Sequence, residues 1–141
     1  MVRLRLATAA LFLLVSGVSF GLAPAARADS QAIRDVISSQ IDAFLADDVE
    51  AAFDHASPTI RQIFGTPERF GEMVQRGYPM VWRPAEVTFL STEERGGRLF
   101  QNVMVRDGAG VLHILEYEMI EGASGWKIDG VRLRAPAAGA A

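Results

Sequence analysis

The stretch from Ile33 to Phe53 constrains this chain more than any other. Apolar residues stand at Ile33, Val36, Ile37, Ile41, Phe44 and Leu45, the i, i+3/i+4, i+7 spacing that gives a helix one apolar stripe. At about 100° per residue, Gln40 falls in the middle of that stripe, between Ile37 and Phe44. Asp35, Ser39, Asp42 and Ala46 fall opposite. Asp47-Asp48 then supplies an N-cap for a second short helix, with Val49, Ala52, Phe53 and Ala56 on one face. Four later strand-like segments have no other helix as long as this one to cover them. The stretch therefore predicts a sheet curled around a helix.

Downstream, the breakers are legible. Ser57-Pro58 is an N-cap followed by proline at the first helical position; Ile60, Ile63 and Phe64 form a short apolar face, and Gly65 stops it. Thr66-Pro67-Glu68 repeats the device, with Phe70, Met73 and Val74 on one face and Gly77 as the stop. Tyr78-Pro79 and Arg83-Pro84 call for extended backbone before each proline, so this segment reads as a linker crossing a surface into the sheet. The period then changes from 3.6 to 2.

Strands are predicted over Glu86–Ser91, Arg98–Arg106, Val111–Ile120 and Trp126–Leu133, joined by the short turns Glu93–Gly97, Asp107–Gly110 and Glu121–Gly125. Such turns imply an antiparallel meander. In the third strand His113, Leu115, Tyr117 and Met119 share one face, and Glu116 and Glu118 mark the other as the solvent side. Strict alternation in the last strand would send Arg132 inward with Trp126 and Ile128. Gly130 is placed to mark a bulge that resets the phase, so that Val131 and Leu133 pack.

The chain begins with an export pattern. Arg3 and Arg5 form a positive n-region, Leu6 to Leu22 carry no charge, and Ala26-Arg27-Ala28 matches a small-x-small cleavage site. Residues 1–28 are thus expected to be a cleaved signal peptide, with Asp29 first in the mature protein. The apolar run approaches the length of a membrane span, but Gly17, Gly21 and Pro24 ahead of a cleavage site argue against an anchor. Residues 29–134 are expected to form one domain, and the small-residue tail 135–141 to be disordered. The expected location is periplasmic or secreted, with no membrane attachment after cleavage.

Losing that segment removes three of 14 basic residues and none of 17 acidic ones, leaving 11 against 17 and a net charge of −6. So acidic a domain argues against nucleic-acid binding, which rests on clustered Lys and Arg. There is no cysteine, so stability rests on packing even in an oxidising compartment.

Helices followed by a curved antiparallel sheet resemble the nuclear-transport-factor-2-like cone, also called SnoaL-like or cystatin-like. The segment "QIDAFLADDVEAAFDHASPTIRQIF" looks like its opening helices and "GWKIDGVRL" like its closing strand. More narrowly, "FGTPERFGEMVQRGYPMVWRP" is similar to an exported bacterial family called domain of unknown function 4864. The resemblance covers Ser30 to Leu133. It implies an α+β fold in which N-terminal helices pack in the concave face of a curved four-stranded antiparallel sheet. It leaves activity open, because the superfamily holds isomerases, dehydratases, transport adaptors and non-catalytic binders.

In such a cone the long helix closes one side of a pocket. Gln40 would point into it beside Phe44, with His113 and Tyr117 on the facing strand and Tyr78 and Trp82 at a lip. Each has a plainer role as a packed or internally bonded side chain. His113 and Tyr117 lie four residues apart, roughly 13 Å along a strand, so they do not touch. Enzymes of the superfamily place a carboxylate or histidine base in the cone, and only His113 with Tyr117 fits that description. His55, near a helix C-terminus, needs no catalytic role. No nucleophile motif, phosphate loop or metal spacing is present in the sequence, so no catalytic residue, cofactor or metal is assigned. The expectation is a non-catalytic module binding a small apolar or mixed-polarity ligand or a protein. The alternative is a cofactor-free lyase, isomerase or hydrolase using His113 and Tyr117. Leu112, Ile114 and Ile120 on the outer face point further to a homodimer through the sheet.

Overall fold

The computed structural model describes residues 24–134, so the predicted n-region, the uncharged run and the C-terminal tail lie outside the described residues. Within them the elements run α1 (Pro24–Leu45), α2 (Val49–Asp54), α3 (Pro58–Phe64), α4 (Pro67–Gly77), α5 (Pro79–Trp82), β1 (Glu86–Arg95), β2 (Arg98–Arg106), β3 (Leu112–Gly122) and β4 (Gly125–Leu133). The strands form one antiparallel sheet in sequence order. Helices pack against one of its faces, giving the α+β architecture expected.

The apolar stripe of α1 is the centre of the core. Ile33, Ile37 and Phe44 are fully buried, and Ile41 is nearly so. Across from them lie Val103, Val105, Leu115, Tyr117, Met119 and Ile128 from β2, β3 and β4. The helix is already formed at Pro24, the first described residue, so the Ala26-Arg27-Ala28 triplet lies within it. Asp48 caps α2 through a side-chain bond from the Ala51 amide (3.1 Å), after Asp47 turns the chain at a positive φ of 56°. Ser57 and Thr66 cap α3 and α4 as their Ser-Pro and Thr-Pro pairs require, accepting from the Ile60 and Arg69 amides.

Two local expectations are corrected. The segment expected to be an extended linker holds α5, a single turn with Pro79 at its first position, and Met80 and Val81 are buried in the core. The residues before the prolines, Tyr78 and Arg83, leave the helical region at φ −136° each but are not extended, with ψ at 57° and 69°. Arg83 then donates to the Phe44 carbonyl (2.8 Å) and pairs with Asp47, fastening α5 to the end of α1. The second correction concerns the solvent face. Glu116 does point away from the helices, yet its side chain is only 2% exposed. Its Oε1 accepts from Arg95 and Arg132, both at 2.8 Å, and the Arg95 guanidinium lies 3.9 Å from the centre of the Phe100 ring. Pleat alternation predicts direction only; it is silent about long cations from neighbouring strands folding over a carboxylate.

Two register shifts bend the sheet. One lies in β1 between Phe89 and Thr92, and the buried Gln101 amide donates to the Leu90 (3.0 Å) and Ser91 (3.3 Å) carbonyls exposed there. The other lies opposite Glu118 and Met119, where Asp129 is the extra residue between Ile128 and Gly130. It does reset the phase, with Val131 on the helix side and Arg132 at Glu116, but Leu133, expected to pack, is 47% exposed near the end of the strand. Asp129 is held by Arg98 (2.7 Å) and by the Ser57 hydroxyl (2.7 Å). The chain at Ala56 runs parallel to Ile128, which stitches the α2–α3 connection to β4.

Candidate functional site

A cavity of about 210 Å³ lies between the helices and the β3–β4 half of the sheet. Gln40 and Phe44 reach it from α1, Ile60 and Phe64 from α3, and Phe70, Met73 and Val74 from α4. Tyr78, Val81 and Ala56 complete the helical wall; Tyr117, Ile128, Gly130 and Val131 form the sheet wall. The short helices are amphipathic, so each turns one apolar face inward, and their small size keeps them from filling the space under α1. Phe70 is the hub of that wall, with ring centroids 5.9 Å from Phe44, 5.4 Å from Phe53 and 5.8 Å from Phe64.

Polar groups at the wall are few. Gln40 is 3% exposed and donates from Nε2 to the Ala52 carbonyl (3.1 Å). Tyr78 donates its hydroxyl to the Val131 carbonyl (2.9 Å). Tyr117 is fully buried, and its hydroxyl has no hydrogen-bond partner among the described residues. Burial pushes the Tyr117 phenol well above its ordinary value, with Tyr78 adding to the effect, so it stays neutral and able to donate. No Asp, Glu, Lys, Arg or His lines the cavity among the described residues.

Four of the six candidate residues, Gln40, Phe44, Tyr78 and Tyr117, therefore meet in one place. Trp82 stays outside, stacked 5.5 Å from Phe44 with the Arg83 guanidinium 4.9 Å from its ring centre. His113 also lies outside. Its Nε2 stands 2.9 Å from Asp107 Oδ2, and the other carboxylate oxygen accepts the Ala109 and Val111 amides (2.9 Å each). That bond from His113, with the Val111 amide, holds the Asp107 carboxyl below its ordinary value. His113 thus braces the β2–β3 turn.

The sequence marked Ile60, Phe64, Met73 and Val74 as apolar helix faces, and it did not mark them as cavity wall. Helical spacing finds an inward face; it carries no information on whether the space inside is filled. Alternation with Trp126 placed Ile128, and the Gly130 bulge placed Val131, as packed residues and not as cavity wall.

The family model described as "Domain of unknown function (DUF4864)" matches residues 26–141, and the chain belongs to that family. No curated protein matches the chain.

Proposed function

We propose that this member of the family is a non-catalytic binding module that holds a small, largely apolar ligand in the cavity between α1, α3, α4 and the β3–β4 wall. One observation carries the reading: the Tyr117 hydroxyl is buried at an apolar cavity without a partner. An unsatisfied buried hydroxyl costs about 1–3 kcal/mol, and phenylalanine would occupy the same volume without that cost. A group held this way suits a ligand that supplies the missing bond.

The finer likeness to the nuclear-transport-factor-2-like cone belongs to the same reading. It is supported by the long helix against the sheet and by the two register shifts that bend it. The catalytic alternative draws on a His113–Tyr117 pair, and its support falls away with His113 bonded at Asp107. Export to the periplasm or medium is supported by Arg3, Arg5, the uncharged run and Ala26-Arg27-Ala28. A homodimer through the outer sheet face is supported by Leu112, half exposed there, with Ile114 beside it. Light scattering at micromolar concentration tests the dimer; a monomer mass refutes it.

The binding reading is tested by titrating toluene into isotope-labelled protein. Amide resonances near Tyr117, Val131 and Met73 should shift and saturate. A spectrum unchanged up to the solubility of toluene refutes the cavity as a ligand site.

A further inference from the structure

Charge, size and polar inventory together narrow the ligand, on the assumption that the cavity binds one. Among the described residues the wall carries no ionisable group other than the two tyrosines. Burying an ammonium or carboxylate there without a counter-charge would cost several kcal/mol, so the wall rejects acids and amines. A volume of about 210 Å³ lies above the roughly 150 Å³ apolar cavity that admits benzene and below the roughly 300 Å³ at which drug-sized pockets begin. One ring or two small fused rings fit between those bounds. Phe44, Phe64 and Phe70 offer the ring faces and edges such a molecule packs against.

The polar groups then select among uncharged rings. Tyr117 has a buried hydroxyl without a partner, able to donate. A hydrocarbon leaves it unsatisfied. A neutral oxygen on the ring accepts from it and, unlike a carboxylate, brings no charge to bury.

We propose that the cavity takes an uncharged molecule of one ring or two small fused rings bearing a neutral oxygen, such as a hydroxyl, and that this oxygen accepts a hydrogen bond from Tyr117. The inference rests on the binding reading above. Three probes of one shape test it at pH 7 on the wild-type protein and on Tyr117→Phe: toluene, 4-methylphenol and 4-methylbenzoate. In the wild type 4-methylphenol should bind about tenfold tighter than toluene, the equivalent of about 1.4 kcal/mol, or one net hydrogen bond. The benzoate should not bind. Tyr117→Phe should reduce 4-methylphenol to the level of toluene and leave toluene unchanged.

Equal wild-type affinities for toluene and 4-methylphenol would overturn the inferred bond to Tyr117 and leave the cavity a ligand site. Tighter binding of the benzoate would overturn it in the same way. Failure of toluene and 4-methylphenol alike would overturn the binding reading itself. Should Tyr117→Phe not fold, the wild-type ratio decides by itself.

Discussion

The two faces of the sheet bury polar groups by opposite means. On the helix side, Tyr117 is enclosed by apolar side chains and its hydroxyl goes without a partner. On the other side no helix among the described residues lies over the strands, and Glu116 is enclosed by Arg95 and Arg132, which both hold its Oε1 while its Oε2 has no partner among the described residues. Those arginines are themselves 46% and 67% exposed, so their outer edges stay hydrated. Burial under helices is dry and leaves no alternative partner. Burial under arginines is reversible, because moving one cation readmits water to the carboxylate. A given degree of burial thus has different energetic weight on the two faces.

The sharpest break in that comparison comes from neighbouring residues of β3. Leu115→Ala, on the helix face, should cost about 2–5 kcal/mol in denaturant unfolding, as for a fully buried leucine that leaves a cavity. The outward Ile114→Ala should cost clearly less, and equal losses would mean that the outer face is packed as tightly as the inner. Tyr117→Phe should be neutral or gain about 1 kcal/mol, since it removes a buried hydroxyl that has nothing to lose. A loss above about 1 kcal/mol would show that the hydroxyl is satisfied.

Glu116→Gln should cost about 0.5–1 kcal/mol at pH 7, reduced from a buried-pair value because the two arginines are 46% and 67% exposed. Its pH dependence is the more specific readout. Burial raises the carboxyl's pKa, but the bonds and charges of Arg95 and Arg132 outweigh burial and hold it below its ordinary 4.5. The folded state therefore binds this proton more weakly than the unfolded one. The stabilisation is complete above about pH 4.5 and is lost as pH falls through the lower folded value. Wild type and Glu116→Gln should converge in stability in acid; a gap that persists there would refute the charge-based account. Arg132→Ala alone should change stability by less than about 0.5 kcal/mol, because Arg95 remains and the site rehydrates.

What the sequence disclosed follows the same division. Local rules carried the caps at Ser57 and Thr66, the period of α1 and the strands, and the bulge beside Gly130, since each needs only a few consecutive residues. The turn at Pro79 escaped because its burial depends on α1 and the sheet behind it, with Arg83 reaching back to Phe44. The enclosure of Glu116 escaped because Arg95 and Arg132 stand 21 and 16 positions away along the chain. For the candidate site, alternation correctly put His113 and Tyr117 on one face. It could not say that the helices reach only one end of that strand, leaving His113 to the Asp107 turn.

The extra residue in β4 has a consequence of another kind. Ile128 and Val131 both line the cavity although they are three positions apart, an odd interval that an unbroken strand cannot turn to one side. The wall therefore depends on that bulge as well as on its residues. The same residues paired without it would carry Val131 and Leu133 across the sheet and bring Arg132 to the helix side, whereas removing Asp129 would leave Gly130 opposite Glu118 and Val131 opposite Tyr117. Among relatives, one residue fewer between Ile128 and Val131 and a bulge at full length should serve an apolar chamber alike; full length without the bulge should not.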